Sequence, residues 1–486
     1  MGARTGRGGS LPAERRPGAR CGEQRGVDHA GHGASAGGLS RRGLLGGGVA
    51  VGLSALGWSR ALGANERVRI ASIGCGGKGF SDLMDTAKSP HADVVALCDI
   101  DESKGHLGNA AEKFPMAKTF TDWRRLFDDR ALCDAVIVST PDHMHCAPTL
   151  AALHLGKHVQ CQKPLTHTVF EARQLRTAAE RFGLVTQMGN QIQSHPAYRT
   201  AVKLVHDGKI GKVQEVHSWQ AGGMPWRKVE DRPAGGADVP AGVHWDEWLG
   251  VAAARPFQPE IYHPFNWRAW QEFANGQLGD FGCHILDPVF MAVGLTAPTA
   301  IEAEATPMNH EVWYTKSTVR WLFPGTPRTA GPTIRVTWYD GQGHKPSLDA
   351  LGLTEADLPP GKDNAPGALP GSGSVLVGTE ASLVVPHVGM PYYVPAARFA
   401  GVAIEPEPAR DHYTSWIDAI RGTDRTTSHF GYAGPLTETV LLGTIAIRHP
   451  HVRLGWDAAA LSLTGAAGAS GWLTKAYRGG WQPAWV

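Results

Sequence analysis

Cysteine is scarce in this chain and scattered: seven in 486 residues. No disulfide framework is expected from it, and Cys98, Cys133 and Cys161, in or beside apolar runs, read as small core residues. Long hydrophobic runs are missing too. One stretch near the N-terminus is apolar but short and rich in glycine, and nothing later approaches the roughly twenty apolar residues that cross a bilayer, so no membrane insertion is expected. An excess of either charge is also absent. Nine of the 47 basic residues and three of the 45 acidic ones fall in residues 1–64, which leaves 38 against 42 and a charge of −4 for the remainder. A mildly acidic chain without a basic stripe offers no footprint for nucleic acid.

The N-terminal stretch has an order of its own. Ser40-Arg41-Arg42-Gly43-Leu44-Leu45 is followed by the apolar run to Trp58 and then by Ala61-Leu62-Gly63-Ala64. Charge, apolar run and small residues in that order read as a twin-arginine export signal within a leader of residues 1–64. A periplasmic or secreted protein, exported already folded, is the expectation. The remaining length suits two domains, here residues 65–190 and 191–486.

The first of these carries the most informative motif. Val68–Ile73 reads as a strand and leads into Gly74-Cys75-Gly76-Gly77-Lys78-Gly79; a second strand, Val94–Cys98, ends at Asp99. In a G-x-G-x-x-G turn Gly74 permits the tight bend, Gly76 and its neighbour Gly77 let backbone approach a pyrophosphate, and Gly79 lets helix and strand pack closely. Asp99 is placed to accept from an adenosine ribose. Asp101 follows it in place of a basic residue, so NAD is favoured over NADP. Further β-branched runs at Ala135–Val138, His158–Cys161 and Leu184–Gln187 alternate with helical patterns at 102–114, 122–127, 147–155 and 169–182. Such alternation predicts a doubly wound parallel sheet of the Rossmann type.

Beyond about Ile192 the pattern changes. A helix at 198–207 precedes strand candidates at 213–220, 300–304, 317–322, 333–338, 374–377 and 382–385, separated by turns and long loops, which predicts an α+β domain with a large, mainly antiparallel sheet. Residues 341–373 read as a long proline-rich loop: a lid, a subunit contact or a disordered segment. Helices return at 411–421 and 436–447. An exposed sheet face rich in tryptophan would suit a homodimer or homotetramer.

Two segments end parallel strands, Thr140-Pro141-Asp142-His143-Met144-His145 and Gln162-Lys163-Pro164, and that edge is where such sheets bind ligands. Thr140, Pro141, His145, Gln162, Lys163 and Pro164 therefore become cofactor-crevice candidates. The His-x-His spacing lacks a third ligand cluster, so no metal is expected. Further on, Asp280 and His284 share a helix face at i and i+4, continued by Asp287. A carboxylate beside an imidazole fixes its tautomer and raises its basicity, which suits a general base acting on a hydroxyl. Tyr262, Asn266, Trp267 and Arg268 mix flat apolar faces with forked donors, as a sugar site requires, and Asn190 joins Asp287 as a further substrate-binding candidate.

With these motifs in order, residues 66 to 450 resemble the Gfo/Idh/MocA family, and in particular its exported branch, through Tyr262–Arg268 and Trp338-Tyr339-Asp340-Gly341. The resemblance implies a Rossmann domain followed by a sheet domain that often mediates oligomers, and an oxidoreductase acting on a hydroxyl of a sugar, sugar derivative or cyclitol with tightly bound NAD. It implies catalytic roles for Lys163, which would hydrogen-bond the reacting hydroxyl, for His284 as acid or base, and for Asp280, which would orient His284 or bind substrate. A redox-neutral glycosidase using the same groups, or a non-catalytic sugar-binding relative, are the alternatives. The family usually has Glu where Gln162 stands; losing that carboxylate is expected to disfavour protonated Lys163, and Gln162→Glu to bind NAD at least as well.

Overall fold

In the computed structural model, which describes residues 66–360 and 367–482, the β-branched runs of the first half form six parallel strands. The leader and its Arg41-Arg42 pair lie outside the described residues. The strands are β1 (Val68–Ile73), β2 (Ala92–Cys98), β3 (Lys118–Phe120), β4 (Ala135–Val138), β5 (His158–Cys161) and β6 (Thr186–Met188), in the order β3-β2-β1-β4-β5-β6. Between them run helices α1 (Lys78–Thr86), α2 (Leu107–Lys113), α3 (Trp123–Leu126), α4 (Cys146–His154) and α5 (Val169–Phe182). Strands covered on both faces read as continuous apolar runs, and β4 is buried along its whole length. The strand order reverses between β1 and β4, so their carboxyl ends open a crevice.

After α6 (Pro196–His206) comes a nine-stranded sheet of β7 (Val213–Gln220), β8 (Ala300–Ala305), β9 (Lys316–Pro324), β10 (Thr333–Gly341), β11 (Ser372–Gly378), β12 (Ser382–Pro386), β13 (Tyr392–Val394), β14 (Leu454–Asp457) and β15 (Ser462–Thr464). Its pairs are antiparallel except for β7 with β10. The helices of this half are α7 (Trp245–Leu249), α8 (Gly276–Ile285), α9 (Asp287–Val293), α10 (His412–Ile420) and α11 (Phe430–Arg448). The last is apolar on nearly every side because it is enclosed by α5 of the first sheet's layer, by α8, and by β8 and β9. Gly443 makes that fit possible: a Cβ there would meet the Trp321 ring at 2.6 Å. Helix α10 returns to the first sheet, packing Trp416 and Ile417 among Val68, Leu83 and Ile137.

Two expectations need correction. The described residues of 341–373 do not stand open to solvent as a loose loop would. Leu351, Leu353, Leu358 and Leu369 fold onto Trp219, Val375 and Val384 as a small core of their own, and the burial of those leucines offsets the cost of ordering a long segment. The sheet tryptophans are not an exposed oligomer face either: Trp219, Trp321 and Trp338 are at most 1% exposed within this one chain. Among the described residues no helix is long and apolar enough to cross a membrane.

Candidate active site

A cleft of about 570 Å³ lies along the carboxyl edge of the parallel sheet. Its floor is the glycine turn. Gly74 and Gly77 have φ of 86° and 52°, and a Cβ on Gly79 would strike the Gly74 carbonyl oxygen at 2.1 Å, so Gly79 serves the packing of α1 on β1. Asp99 lines the cleft but is already engaged: its Oδ2 accepts the N–H of Cys75 at 2.6 Å and of Gly76 at 3.1 Å, and its Oδ1 that of Asp101 at 3.0 Å. It braces the turn, and a ribose would share that acceptor. Beside the turn, with its backbone N 3.1 Å from where a Cβ on Gly74 would stand, Thr140 lines the cleft and has a buried hydroxyl without a partner. Glycines whose backbone a pyrophosphate can approach, an orphaned hydroxyl and an acid at the end of β2 fit a dinucleotide, with the His106 ring packed against Gly76.

At the other end of the cleft Lys163, Asp280 and His284 come together. Lys163 Nζ donates to Asp280 Oδ1 at 2.7 Å and to the Asp280 carbonyl at 2.6 Å, and Arg268 Nε approaches the same Oδ1 at 3.5 Å. Burial opposes ionisation of Asp280, yet the Lys163 and Arg268 charges outweigh it and hold the carboxyl below its usual range. Here the structure corrects the expected carboxylate–imidazole pair. Helical spacing puts Asp280 and His284 on one face, but the ammonium takes the carboxylate, and His284 Nδ1 is buried without a partner. Burial, then the Lys163 charge, pushes the His284 pKa well below its ordinary value, so the ring is neutral at neutral pH.

Of the other expected residues, Gly76, Pro141, His145, Gln162, Trp267 and Arg268 line the cleft. The ring nitrogens of His145 face the carbonyls of Pro164 and Thr140 at 2.7 and 2.8 Å, so this histidine ties two cleft loops together, and Pro164 takes part through its carbonyl. Arg268 stacks on Phe265 and Trp267, each at 4.2 Å. Four substrate candidates lie elsewhere. Tyr262 is buried in an aromatic cluster with Trp245, Trp248 and Trp270; Asn266 donates to the Glu260 carbonyl at 2.6 Å; Asn190 is fully buried and accepts from Ser428. Asp287 is fully buried too, its Oδ1 accepting from Tyr432 Oη at 2.5 Å and Gln193 Nε2 at 3.0 Å.

Gln162 has a specific partner. Its Nε2 donates at 2.8 Å to Oδ2 of Asp82, a fully buried carboxylate that also accepts from Lys78, Tyr413 Oη and Ser139 Oγ. The amide thus does what a glutamate could not. Sequence reasoning missed Lys78, His106, Asp142, Trp248, His263 and Phe265 as cleft residues. Lys78 and Asp142 stand inside motifs it had singled out, and His263 and Phe265 alternate with the chosen Tyr262 and Asn266. His263 Nε2 lies 2.7 Å from Asp101 Oδ2, joining the two sheets' loops at the glycine-turn end.

Comparison with known proteins follows this division. Residues 68–190 match the family model described as oxidoreductase family, NAD-binding Rossmann fold, and residues 196–323 match its C-terminal alpha/beta domain. A levoglucosan dehydrogenase of Pseudarthrobacter phenanthrenivorans is 27% identical over 186 residues, 38% of this chain and 39% of that protein. A 1,5-anhydro-D-fructose reductase of Ensifer adhaerens is 32% identical over 167 residues, 33% of this chain and 49% of that protein. The chain thus spans less than half the length of these curated relatives. In fold it is similar to the WlbA dehydrogenase from Bordetella pertussis, solved in complex with NADH and UDP-GlcNAcA, with a TM-score of 0.55, 16% identity and coverage of 81% of this chain and 99% of that one. The glycine cradle, the two matched domains and their order place this chain in the Gfo/Idh/MocA oxidoreductase family, with an NAD-binding Rossmann domain.

Proposed function

We propose that this protein oxidises a hydroxyl-bearing carbon of a sugar, sugar derivative or cyclitol in an NAD-dependent reaction. The observation that carries the reading is the convergence of Lys163, Asp280 and a neutral, buried His284 at one end of the cleft whose other end is the glycine turn. NAD bound there supplies the hydride acceptor. His284 takes the hydroxyl proton, since a neutral imidazole can accept one. An ammonium has three donors; two of those on Lys163 are held by Asp280, and the third is left for the substrate oxygen. Asp280 acts by fixing Lys163. Arg268, flattened on Phe265 and Trp267, and those two rings offer the forked donor and apolar faces that read a carbohydrate. The relatives named for levoglucosan and anhydrofructose support the substrate class. The Arg41-Arg42 motif supports export in the folded state with the cofactor in place.

The test is to incubate the protein with NAD and a panel of free sugars, cyclitols and glycosides, following nicotinamide absorbance and aglycone release together. Net reduction of NAD by a free sugar or cyclitol is the expected result. Aglycone release without net reduction would assign the redox-neutral glycosidase chemistry instead.

A further inference from the structure

A second cavity, of about 370 Å³, is walled by the turn into α5, the loop ahead of α8, the C-terminal half of α11 and the tail around Trp472 and Lys475. Arg448 is part of its wall. The guanidinium lies between two indoles, 4.5 Å from the Trp313 ring centre and 4.0 Å from that of Trp472, and donates to Gln271 Oε1. Burial works against its charge, and among the described residues no carboxylate forms an ion pair with it. The acids nearby are committed elsewhere. Glu171 accepts from Tyr477 Oη at 2.6 Å and from the N–H groups of His167 and Thr168, and it faces Lys475 at 3.2 Å; Glu272 accepts the Ala253 N–H at 3.1 Å. A half-buried cation without a counter-charge is a ready partner for an anion.

We propose that this cavity is a binding site for a monosaccharide-sized oxyanion whose carboxylate or phosphate pairs with Arg448. Guanidinium matches either group bidentately. The volume is that of a small-molecule site and exceeds what a bare inorganic ion fills. Leu441, Ile445 and Trp472 supply apolar wall for the C–H face of a ring, while Lys475, also in the wall, is neutralised by Glu171 and leaves Arg448 as the anion's partner. The site is separate from the cofactor cleft, although Asn275, in its wall, donates to Asp142 Oδ2, a cleft residue, at 3.2 Å.

The NAD-loaded protein is titrated with glucuronate and with glucose 6-phosphate, glucose serving as the neutral control, and tryptophan fluorescence gives the Kd. Saturable binding of at least one anion, at least about tenfold tighter than glucose, is expected. It should weaken about tenfold or more in Arg448→Gln and persist in Lys163→Ala, with NAD binding retained in both. Should Arg448→Gln not fold, Trp472→Ala removes the outer indole from a half-exposed position and must weaken the same anion. Comparing the two anions shows which oxyanion the site takes. Binding lost in Lys163→Ala and kept in Arg448→Gln would place the anion in the cofactor cleft and overturn the proposal, as would no preference of either anion over glucose.

Discussion

Lys163 and His284 divide the work at one end of the cleft, and their removal should have different signatures. Lys163→Ala leaves the Asp280 carboxylate with Arg268 alone, whereas His284→Ala deletes the proton acceptor. Each should cut turnover by roughly a hundredfold or more while NAD binding, measured by fluorescence titration, changes little. Gln162 gives a sharper case. Because its amide donates to buried Asp82, Gln162→Glu sets two carboxylates against each other in a low-dielectric site, and NAD affinity should fall, reversing what the motif suggested on its own. A titration of the variant showing equal or tighter NAD binding would contradict this. The sequence exposed Lys163, Asp280 and His284 because each stands at a motif position. Asp287 misled, for a physical reason. Helix α8 ends at Ile285 and a new helix starts at Asp287, so the expected helical face is broken and the carboxyl turns inward to Tyr432 and Gln193.

That inward turn has a pH signature. Burial raises the Asp287 carboxyl to about 7, above its ordinary 3.8, with the Tyr432 and Gln193 hydrogen bonds only partly opposing it. A raised acid holds its proton in the fold more tightly than in the unfolded chain. Its contribution is therefore fully present below about pH 4 and is lost as pH rises towards 7, at a slope of about 1.4 kcal/mol per pH unit. Asp287→Asn removes the titration while Oδ1 can still accept, so the variant should gain stability relative to the native protein as pH climbs from 4 to 7; parallel denaturation midpoints across that range would refute it.

At the scale of elements, the parallel strands were legible because strands buried on both faces must be continuously apolar, and the glycine turn because only glycine tolerates its φ values and close approaches. Gly79→Ala tests the second point: with the Gly74 carbonyl 2.1 Å from the added Cβ, the backbone must shift, and stability should drop by about 1–3 kcal/mol in chemical denaturation. The strands β3, β13, β14 and β15 escaped notice since three or four residues carry too little alternation to stand out. Residues 341–373 misled through their prolines and glycines. Their leucines are spaced without period, and only the finished sheet, with Trp219 waiting on its face, shows where they go.

At the scale of the whole molecule, the segment after Leu473 binds to both halves. Lys475 and Tyr477 reach Glu171 on α5, Arg478 reaches Asp246 and the Gly250 carbonyl, and Trp481 stacks under Arg124 at 3.8 Å. Truncation after Leu473 strands the buried Glu171 without two of its partners and should cost about 2–4 kcal/mol, read as a lower denaturation midpoint. None of this was visible in the sequence, where the tail is a short aromatic and basic segment with no periodicity.

One cleft, one cofactor and one proton acceptor act together. The decisive measurement is the rate of NAD reduction with the best substrate of the sugar and cyclitol panel, compared between the native protein and His284→Ala at equal NAD occupancy. Turnover in the native protein and a loss of roughly a hundredfold or more in the variant are expected. Equal rates in the two would contradict this.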